Sequence, residues 1–196
     1  MSFKSMFLAA ALAALAVPAF SQSNNPAPVI NKRKQNQQQR IANGIQSGQL
    51  TAKETANLER KEARVNREEN RMEKRDGGNL TAADKARLTR QQNRLSRQIY
   101  RKKHNGRVQN TNPKSEAGQR QRNQQERIAQ GIKSGQLTPS ETAHLERREA
   151  AVNREIRADR AANGGTLTAQ EKAQINRQQN ANSRAIYRKK HNGRTQ

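Results

Sequence analysis

The residues with the clearest chemical potential are arginines spaced three and four positions apart near the middle of the chain. Arg87, Arg90, Arg94, Arg97 and Arg101 fall on one face of a helix, over about 21 Å at the helical rise. A guanidinium group donates two parallel hydrogen bonds to a phosphate or a carboxylate. The row therefore predicts a surface that binds anionic groups.

A cluster of basic residues follows the row, and the whole arrangement recurs later in the chain. Both copies end in the string Arg-Lys-Lys-His-Asn-Gly-Arg, but Gln174 and Ala181 replace two arginines of the second row. Each cation also has a purely structural alternative, because charged helices are commonly solvated and cations near a helix C-terminus favour its dipole. The candidate polyanion-binding residues are Arg90, Arg94, Arg97, Arg101, Lys102, Lys103, Arg107, Arg177, Arg184, Arg188, Lys189, Lys190 and Arg194.

The overall charge makes an anionic partner the strongest expectation. Lysine and arginine number 39 against 16 acids, which gives a net charge of +23. Such a surface attracts nucleic acid, anionic envelope polymers, lipid surfaces and acidic proteins. Pairing of the arginine row with Glu59, Glu62 and Glu69 would neutralise only part of this charge.

Nucleic acid is one possible partner, although recognition of a base sequence is not expected. Tyr100 and Tyr187 are the only aromatic residues after Phe20, too few for a base-stacking platform. Contacts to nucleic acid should therefore be made mainly to phosphates, and they should weaken as salt rises.

No residues form a candidate catalytic centre, metal site or cofactor motif. Cysteine is absent, which excludes disulfides and thiolate metal sites. The three histidines, His104, His144 and His191, lack the neighbouring groups of a nucleophilic triad. Carboxylates crowded by arginine should stay ionised and serve poorly as proton donors. We expect a protein that is not an enzyme and needs no cofactor.

A long internal repeat organises the chain. Residues 40–107 align with 127–194 without a gap, and about 44 of the 68 positions are identical. We divide the chain into a signal peptide (1–21), a basic polar N-terminal tail (22–39), helical repeat 1 (40–107), a linker with the start of the next helix (108–126), and helical repeat 2 (127–194).

The N-terminus has the pattern of an export signal. Lys4 precedes an apolar run of about twelve residues, which Pro18 ends before the small residues Ala19 and Ser21. The run is too short to span a bilayer. We therefore expect cleavage near Ser21 and a periplasmic or secreted protein with no transmembrane segment.

A recurring motif, Gly-x-Leu-Thr-x-x-Glu or Asp, marks helix starts. Thr51 is a predicted N-cap, and Glu54 completes a capping box. Glycines such as Gly48 fit the ends of the preceding helices. The pattern predicts a short helix before Gly48 and two helices of about 24 residues after it in each repeat. The other motif pairs are Thr81 with Asp84, Thr138 with Glu141 and Thr168 with Glu171.

The apolar pattern predicts an all-α fold of two tandem three-helix modules, each with one short and two long antiparallel helices. Leu58, Val65 and Met72 recur every seven residues, a spacing typical of helices packed at a shallow angle. The second copy has Asp159 in place of Met72 and gains Ile156. The thin core indicates marginal stability, so docking between modules or a homodimer could help. Disorder is the alternative.

The same motif resembles two known families. It is similar to the latter half of an EF-hand loop, with Gly48, Leu50 and Glu54 as the glycine, the apolar residue and the closing carboxylate. Asn43 and Ile45 would stand at early ligand positions, so the resemblance implies helix-loop-helix geometry without a calcium site. The motif also resembles the Leu-Thr-x-x-Gln signature of the Spy and CpxP periplasmic chaperone family, with Glu or Asp for Gln. That resemblance implies a basic helical protein that holds clients on a concave face.

Three functional hypotheses follow from these patterns. The first is an exported binding protein that engages anionic partners electrostatically. The second is a Spy-like chaperone or stress protein, and the third is a degenerate EF-hand-like module.

Overall fold

The part of the chain that the structure describes contains six α-helices and no β-strand. A computed structural model describes residues 26–195, so the expected signal peptide lies outside this range. The all-α prediction is confirmed, and no described helix is long and apolar enough to cross a membrane. The helices are α1 (Pro26–Gln46), α2 (Ala52–Arg75), α3 (Ala82–Lys103), α4 (Glu116–Lys133), α5 (Pro139–Ala162) and α6 (Ala169–Lys190).

The predicted capping motifs begin four of these helices. At the start of α2, the Glu54 amide donates to Thr51 Oγ1 over 3.3 Å, and the Thr51 amide donates to Glu54 Oε2 over 3.3 Å. Both bonds also occur at the starts of α5 and α6. At α3 the shorter Asp84 side chain accepts from the Thr81 hydroxyl instead of the backbone amide. The motif is therefore a helix start in all four places.

The first helix is longer than the sequence pattern predicted. α1 contains 21 residues and begins at Pro26, so most of the segment expected to be a tail is helical. Ile30 and Gln37 are both buried. The Gln37 amide donates to the Gln92 carbonyl over 2.7 Å, and the Gln92 amide donates to the Ile30 carbonyl over 3.1 Å. Glutamines thus continue the α1–α3 contact where few apolar residues are available.

The fourth helix repeats this arrangement. α4 begins at Glu116, within the segment assigned to a linker and the start of a helix. Gln124 donates to the Gln179 carbonyl over 2.6 Å, and Gln179 donates to the Ala117 carbonyl over 2.7 Å. The structural similarity of the two copies therefore begins before Arg40 and Arg127.

The helices of the two repeats pack against each other. α1 contacts α2 and α3, α4 contacts α5 and α6, and the repeats meet through α2 with α5 and α1 with α4. One central apolar cluster contains Ile41, Leu50, Leu58 and Ile99 together with residues of repeat 2. Smaller clusters occupy the outer ends around Leu88 and around Val152, Ile156 and Ile175.

The linker between the repeats is docked on the turn between α1 and α2. The Gln109 amide donates to the Gly48 carbonyl over 2.8 Å, and its side chain donates to the Leu50 carbonyl over 3.3 Å. Gly48 has φ of 72°, and a Cβ there would lie 2.6 Å from the Gln109 carbonyl oxygen. Gly135, its counterpart, has φ of 73° and no atom near such a Cβ.

This difference predicts that Gly48→Ala costs more stability than Gly135→Ala. Both substitutions place a side chain in a left-handed conformation, at about 1 kcal/mol. Only Gly48→Ala must also displace the linker, and we expect its total loss to reach about 2–3 kcal/mol. Urea unfolding measures the losses, and limited trypsin digestion should show faster cleavage at Arg107 and Lys114 in Gly48→Ala alone. Equal stability losses and equal digestion rates would contradict the docked linker.

Candidate anion-binding surface

The arginine row of α3 faces solvent. Arg90, Arg94, Arg97 and Arg101 are all exposed, and none forms an ion pair with a carboxylate in the described range. Arg87 differs, because its Nη2 lies 2.6 Å from Glu68 Oε1. The structure thus leaves four neighbouring guanidinium groups along one helix available to an external anion.

The second row is shorter and has the same character. Arg177, Arg184 and Arg188 on α6 are exposed, and none has an ion-pair partner among the described residues. The side chain of Lys190 is partly covered and packs near Gly131. Arg107 and Arg194 are exposed just beyond the two helices.

Part of each basic string stabilises the neighbouring helix start. Lys102 Nζ lies 3.6 Å from Glu54 Oε1, and Asn105 donates to the same oxygen over 2.6 Å. Lys189 and Asn192 make the equivalent contacts to Glu141, at 3.9 and 2.6 Å. These two lysines therefore have a structural role, while the arginines before them do not share it.

These contacts also set the acidity of the capping glutamates. Burial alone would raise the pKa of Glu54, but hydrogen bonds from Asn105 and Thr51 and the charge of Lys102 lower it below the usual value. Glu141 has a lowered pKa for the same reasons. Both caps are consequently ionised at neutral pH.

Acidic and basic residues are segregated between the interior and the surface. Glu54, Glu59, Glu62, Glu69, Asp84, Glu141, Glu146 and Glu149 are buried, which is half of the 16 acids. No lysine or arginine within residues 26–195 is buried. The surface is therefore more positive than the net charge alone conveys.

The buried glutamates of α2 do not neutralise the α3 row. Glu59 accepts a hydrogen bond of 3.1 Å from Gln38, and neither carboxylate oxygen of Glu62 has a hydrogen-bond partner within residues 26–195. Glu69 pairs with Lys34 of α1 at 2.7 Å. These three glutamates therefore do not form ion pairs with the arginines of α3, the alternative that the sequence allowed. They contact α1 and the interior instead.

The expectation that the carboxylates stay ionised is wrong for three of them, Glu62, Glu146 and Glu149. Burial raises the pKa of Glu59 well above its usual value, and the neighbouring Glu62 and Glu146 raise it further. Burial raises the pKa of Glu146 to about 8, and the pKa values of Glu62 and Glu149 to about 7. Glu62, Glu146 and Glu149 are therefore partly protonated at neutral pH and offset less of the cationic charge.

The two terminal histidines belong to helix ends. His104 Nδ1 lies 2.7 Å from the Tyr100 carbonyl oxygen, and its ring centroid is 4.2 Å from that of Tyr100. His191 and Tyr187 repeat both contacts. Across the part of the chain that the structure describes, no three His, Cys, Asp or Glu side chains converge as metal ligands.

A second basic feature escaped the sequence analysis. The α5 sequence carries similar numbers of acids and bases, but its glutamates at 146 and 149 are buried while Arg154 and Arg157 are exposed. These arginines line a cleft beside the linker. Aligning the repeats would have indicated this surface, because Arg157 replaces Asn70 and Arg160 replaces Glu73.

Comparison with known proteins adds no family assignment. No family model matches the chain, and neither a curated protein nor a solved structure shows significant similarity to it. Fold and surface together define a helical protein in which half of the acids are buried and no lysine or arginine of the described range is.

Proposed function

We propose that the chain is an exported binding protein, built from two tandem three-helix modules, that engages anionic partners through the basic faces of α3 and α6. The observation that supports this most strongly is the row Arg90, Arg94, Arg97 and Arg101. These four side chains are exposed and have no carboxylate partner in the described structure. Such a row favours association with a polymer of regularly spaced negative charges.

The partner is proposed by its chemistry: a nucleic acid backbone, an anionic envelope polymer or an acidic protein. From Arg90 to Arg101 the row extends about 16 Å, enough to meet several phosphates of one strand. Tyr100 and Tyr187 are exposed, but each ring already contacts a histidine. Contacts to charge, rather than to bases, therefore carry the proposed recognition.

A chaperone role has less support. The exposed large apolar residues of the described structure are Val29, Tyr100, Val108 and Tyr187. They are single residues on different elements, whereas holding unfolded clients needs contiguous apolar surface. Binding of a client that persists at high salt would favour the chaperone over the electrostatic proposal.

The proposal predicts that removing the α3 row weakens polyanion binding and its salt dependence. We expect substitution of Arg90, Arg94, Arg97 and Arg101 by glutamine to lower affinity for a short DNA duplex at least tenfold. The slope of log K against log salt should fall in magnitude by about 3–4, because each of the four lost phosphate contacts removes close to one unit. Fluorescence anisotropy over a salt series measures both quantities.

The chain offers a matched control on α2. Arg60, Arg64, Arg67 and Arg71 are exposed and have the same spacing, but they lie on a helix that also carries six glutamates. Replacing these four by glutamine removes an equal charge and should weaken binding less than threefold. Equal losses for the two variants would show that only total charge matters and would overturn the assignment to α3.

A further inference from the structure

A basic cleft lies between the inter-repeat linker, the start of α2, α4 and α5. Its volume is about 680 Å³, within the usual range for small-molecule sites. Among the residues that the structure describes, no acidic side chain and no aromatic side chain lines it. The cationic residues that line it are Lys53, Arg107, Lys114, Arg122, Arg154, Arg157 and Arg160.

The walls of the cleft are held in place by packing. The linker is fixed by the hydrogen bond between the Gln109 amide and the Gly48 carbonyl. At the start of α4, Gly118 approaches Pro113 so closely that a Cβ on the glycine would lie 2.6 Å from Pro113 Cβ. Because both contacts involve backbone or ring atoms, the concave shape belongs to the fold rather than to mobile side chains.

Most of these cations have no internal partner. Lys53, Arg154 and Arg157 are exposed and form no ion pair with a described carboxylate. Arg160 makes a single contact, to Ser115 Oγ at 3.4 Å. Only Arg122 is neutralised, by Glu126 at 2.8 Å. Like charges confined in one concavity repel, and a bound anion would relieve that repulsion.

The cleft also presents an unsatisfied donor. Gln121 lines it, and its Nε2 is shielded from solvent and has no hydrogen-bond partner among the described residues. A shielded amide that makes no hydrogen bond is costly, and an acceptor entering the cleft could satisfy it. An oxyanion supplies such an acceptor together with the required charge.

The two repeats differ at this place in a consistent direction. Lys53, Arg157 and Arg160 line the cleft, whereas the aligned residues in the other repeat are Ser140, Asn70 and Glu73. All three differences increase positive charge on the cleft side. Two of the four other basic residues, Arg107 and Lys114, come from the end of repeat 1 and the linker, so this is a single site rather than one of a pair.

We propose that this cleft binds a compact anion that carries several linked phosphate groups. Five of its cations are arginines, whose planar forks match phosphate oxygens. A chain of three phosphates concentrates about four negative charges in a small volume, more than a carboxylate ligand of equal size. The absence of aromatic lining means that the phosphates, and not an attached base, supply the recognition.

The site is separate from the proposed polymer-binding rows, with which it shares only Arg107.

Inorganic tripolyphosphate is the direct probe, titrated calorimetrically into the purified chain at physiological salt. We expect one bound tripolyphosphate per chain, with ATP binding within threefold of it and orthophosphate at least thirtyfold weaker. Binding of several tripolyphosphates per chain, or equal affinity for orthophosphate, would overturn the proposal.

The decisive variant replaces two arginines of the cleft by the residues that repeat 1 has at the aligned positions. Arg157→Asn combined with Arg160→Glu should weaken tripolyphosphate binding at least tenfold. Arg64→Asn combined with Arg71→Glu makes the same change in charge on the exposed face of α2 and should weaken it less than twofold. Equal weakening by both pairs would refute the cleft as the site.

Further measurements distinguish the two possible sources of the linked phosphates, the end of a polymer and a free polyphosphate. We compare a 5′-triphosphorylated oligonucleotide with its unphosphorylated form. If the triphosphorylated form binds more tightly, and the Arg157/Arg160 variant loses this difference, the ligand is the end of a polymer. If the two forms bind equally, the ligand is a free polyphosphate.

Lys53→Ser is a milder change and should weaken tripolyphosphate binding about threefold. DNA binding by the α3 row should persist in every cleft variant.

Discussion

The free energy of unfolding should fall as pH rises from about 5 to 8, opposite to ordinary acid denaturation. Glu59, Glu62, Glu146 and Glu149 are buried, and burial raises the pKa of each. A carboxyl group with a higher pKa in the folded state holds more protons there, so folding is favoured at low pH and loses stability as pH rises through the folded pKa. The window runs from the usual value of 4.5 to about 8 for Glu146.

Polar and basic groups that face these carboxyls lower their pKa values, but they offset only part of the rise that burial causes. Gln38 donates to Glu59, and Gln125 donates to Glu146. Lys34 lowers the pKa of Glu62, while Asn182, Arg127 and Arg148 lower that of Glu149. Below pH 4.5 the opposite trend begins, because the capping acids with lowered pKa values, such as Glu54, lose stabilisation when protonated. Stability should therefore be greatest near pH 5.

Glu146→Gln isolates this effect in one residue. A glutamine resembles the protonated carboxyl, so stability at pH 5 should change little. At pH 8 the substitution removes a carboxyl that resists ionisation, and we expect a gain of about 2 kcal/mol, less than the full shift of pKa would give. Urea unfolding at both pH values measures the difference.

The control is Glu116→Gln. The Glu116 side chain is 68% exposed, so its removal should leave the pH dependence within about 0.5 kcal/mol of the parent protein. A loss of stability in Glu146→Gln of equal size at pH 5 and pH 8 would contradict the explanation by buried ionisation. It would indicate that packing, rather than charge, determines the effect.

The sequence predicted the helix starts better than the interior. Capping depends on a few adjacent residues, so Thr51 with Glu54 was sufficient to locate the start of α2. Leu58, Val65 and Met72 are buried, as their spacing indicated, and Ile156 is buried in repeat 2. These features follow from local chemistry and helical periodicity.

The interior polar residues were missed because polarity alone predicts exposure. Gln37 and Glu59 are buried, and what places them inside is the packing of α1 against α3 and of α2 against α5. The pairing of Gln37 with Gln124 in the repeat alignment would have extended the repeat upstream of Arg40. The arginine row could be predicted from helical spacing alone, but the freedom of Arg90, Arg94, Arg97 and Arg101 from ion pairs depends on where α2 directs its glutamates.

The second large expected effect is a loss of stability when the leucine of the repeated Gly-x-Leu-Thr motif is replaced. The size of the loss should differ between copies of the motif, because the leucine is buried to a different depth in each. Leu50 is fully buried in the central cluster, and a Cβ on Gly44 would lie 2.7 Å from its Cδ1. Leu167 is only partly buried and packs on a small outer cluster. Leu50→Ala should cost about 3–4 kcal/mol, and Leu167→Ala less than about 1 kcal/mol. Urea midpoints at constant m value measure the two losses.

The position of Leu50 also predicts how the protein unfolds. Its cluster includes Ile128, Leu137 and Leu145 of repeat 2, so a cavity at Leu50 removes contacts that both repeats share. Leu50→Ala should therefore lower a single unfolding transition for the whole chain, and Leu137→Ala should have a similar effect. If either variant instead gave two transitions, with one repeat retaining the parent midpoint, the repeats would be energetically independent. The shared cluster would then contribute little to stability, and α2 and α5 would be neighbours without being one folding unit.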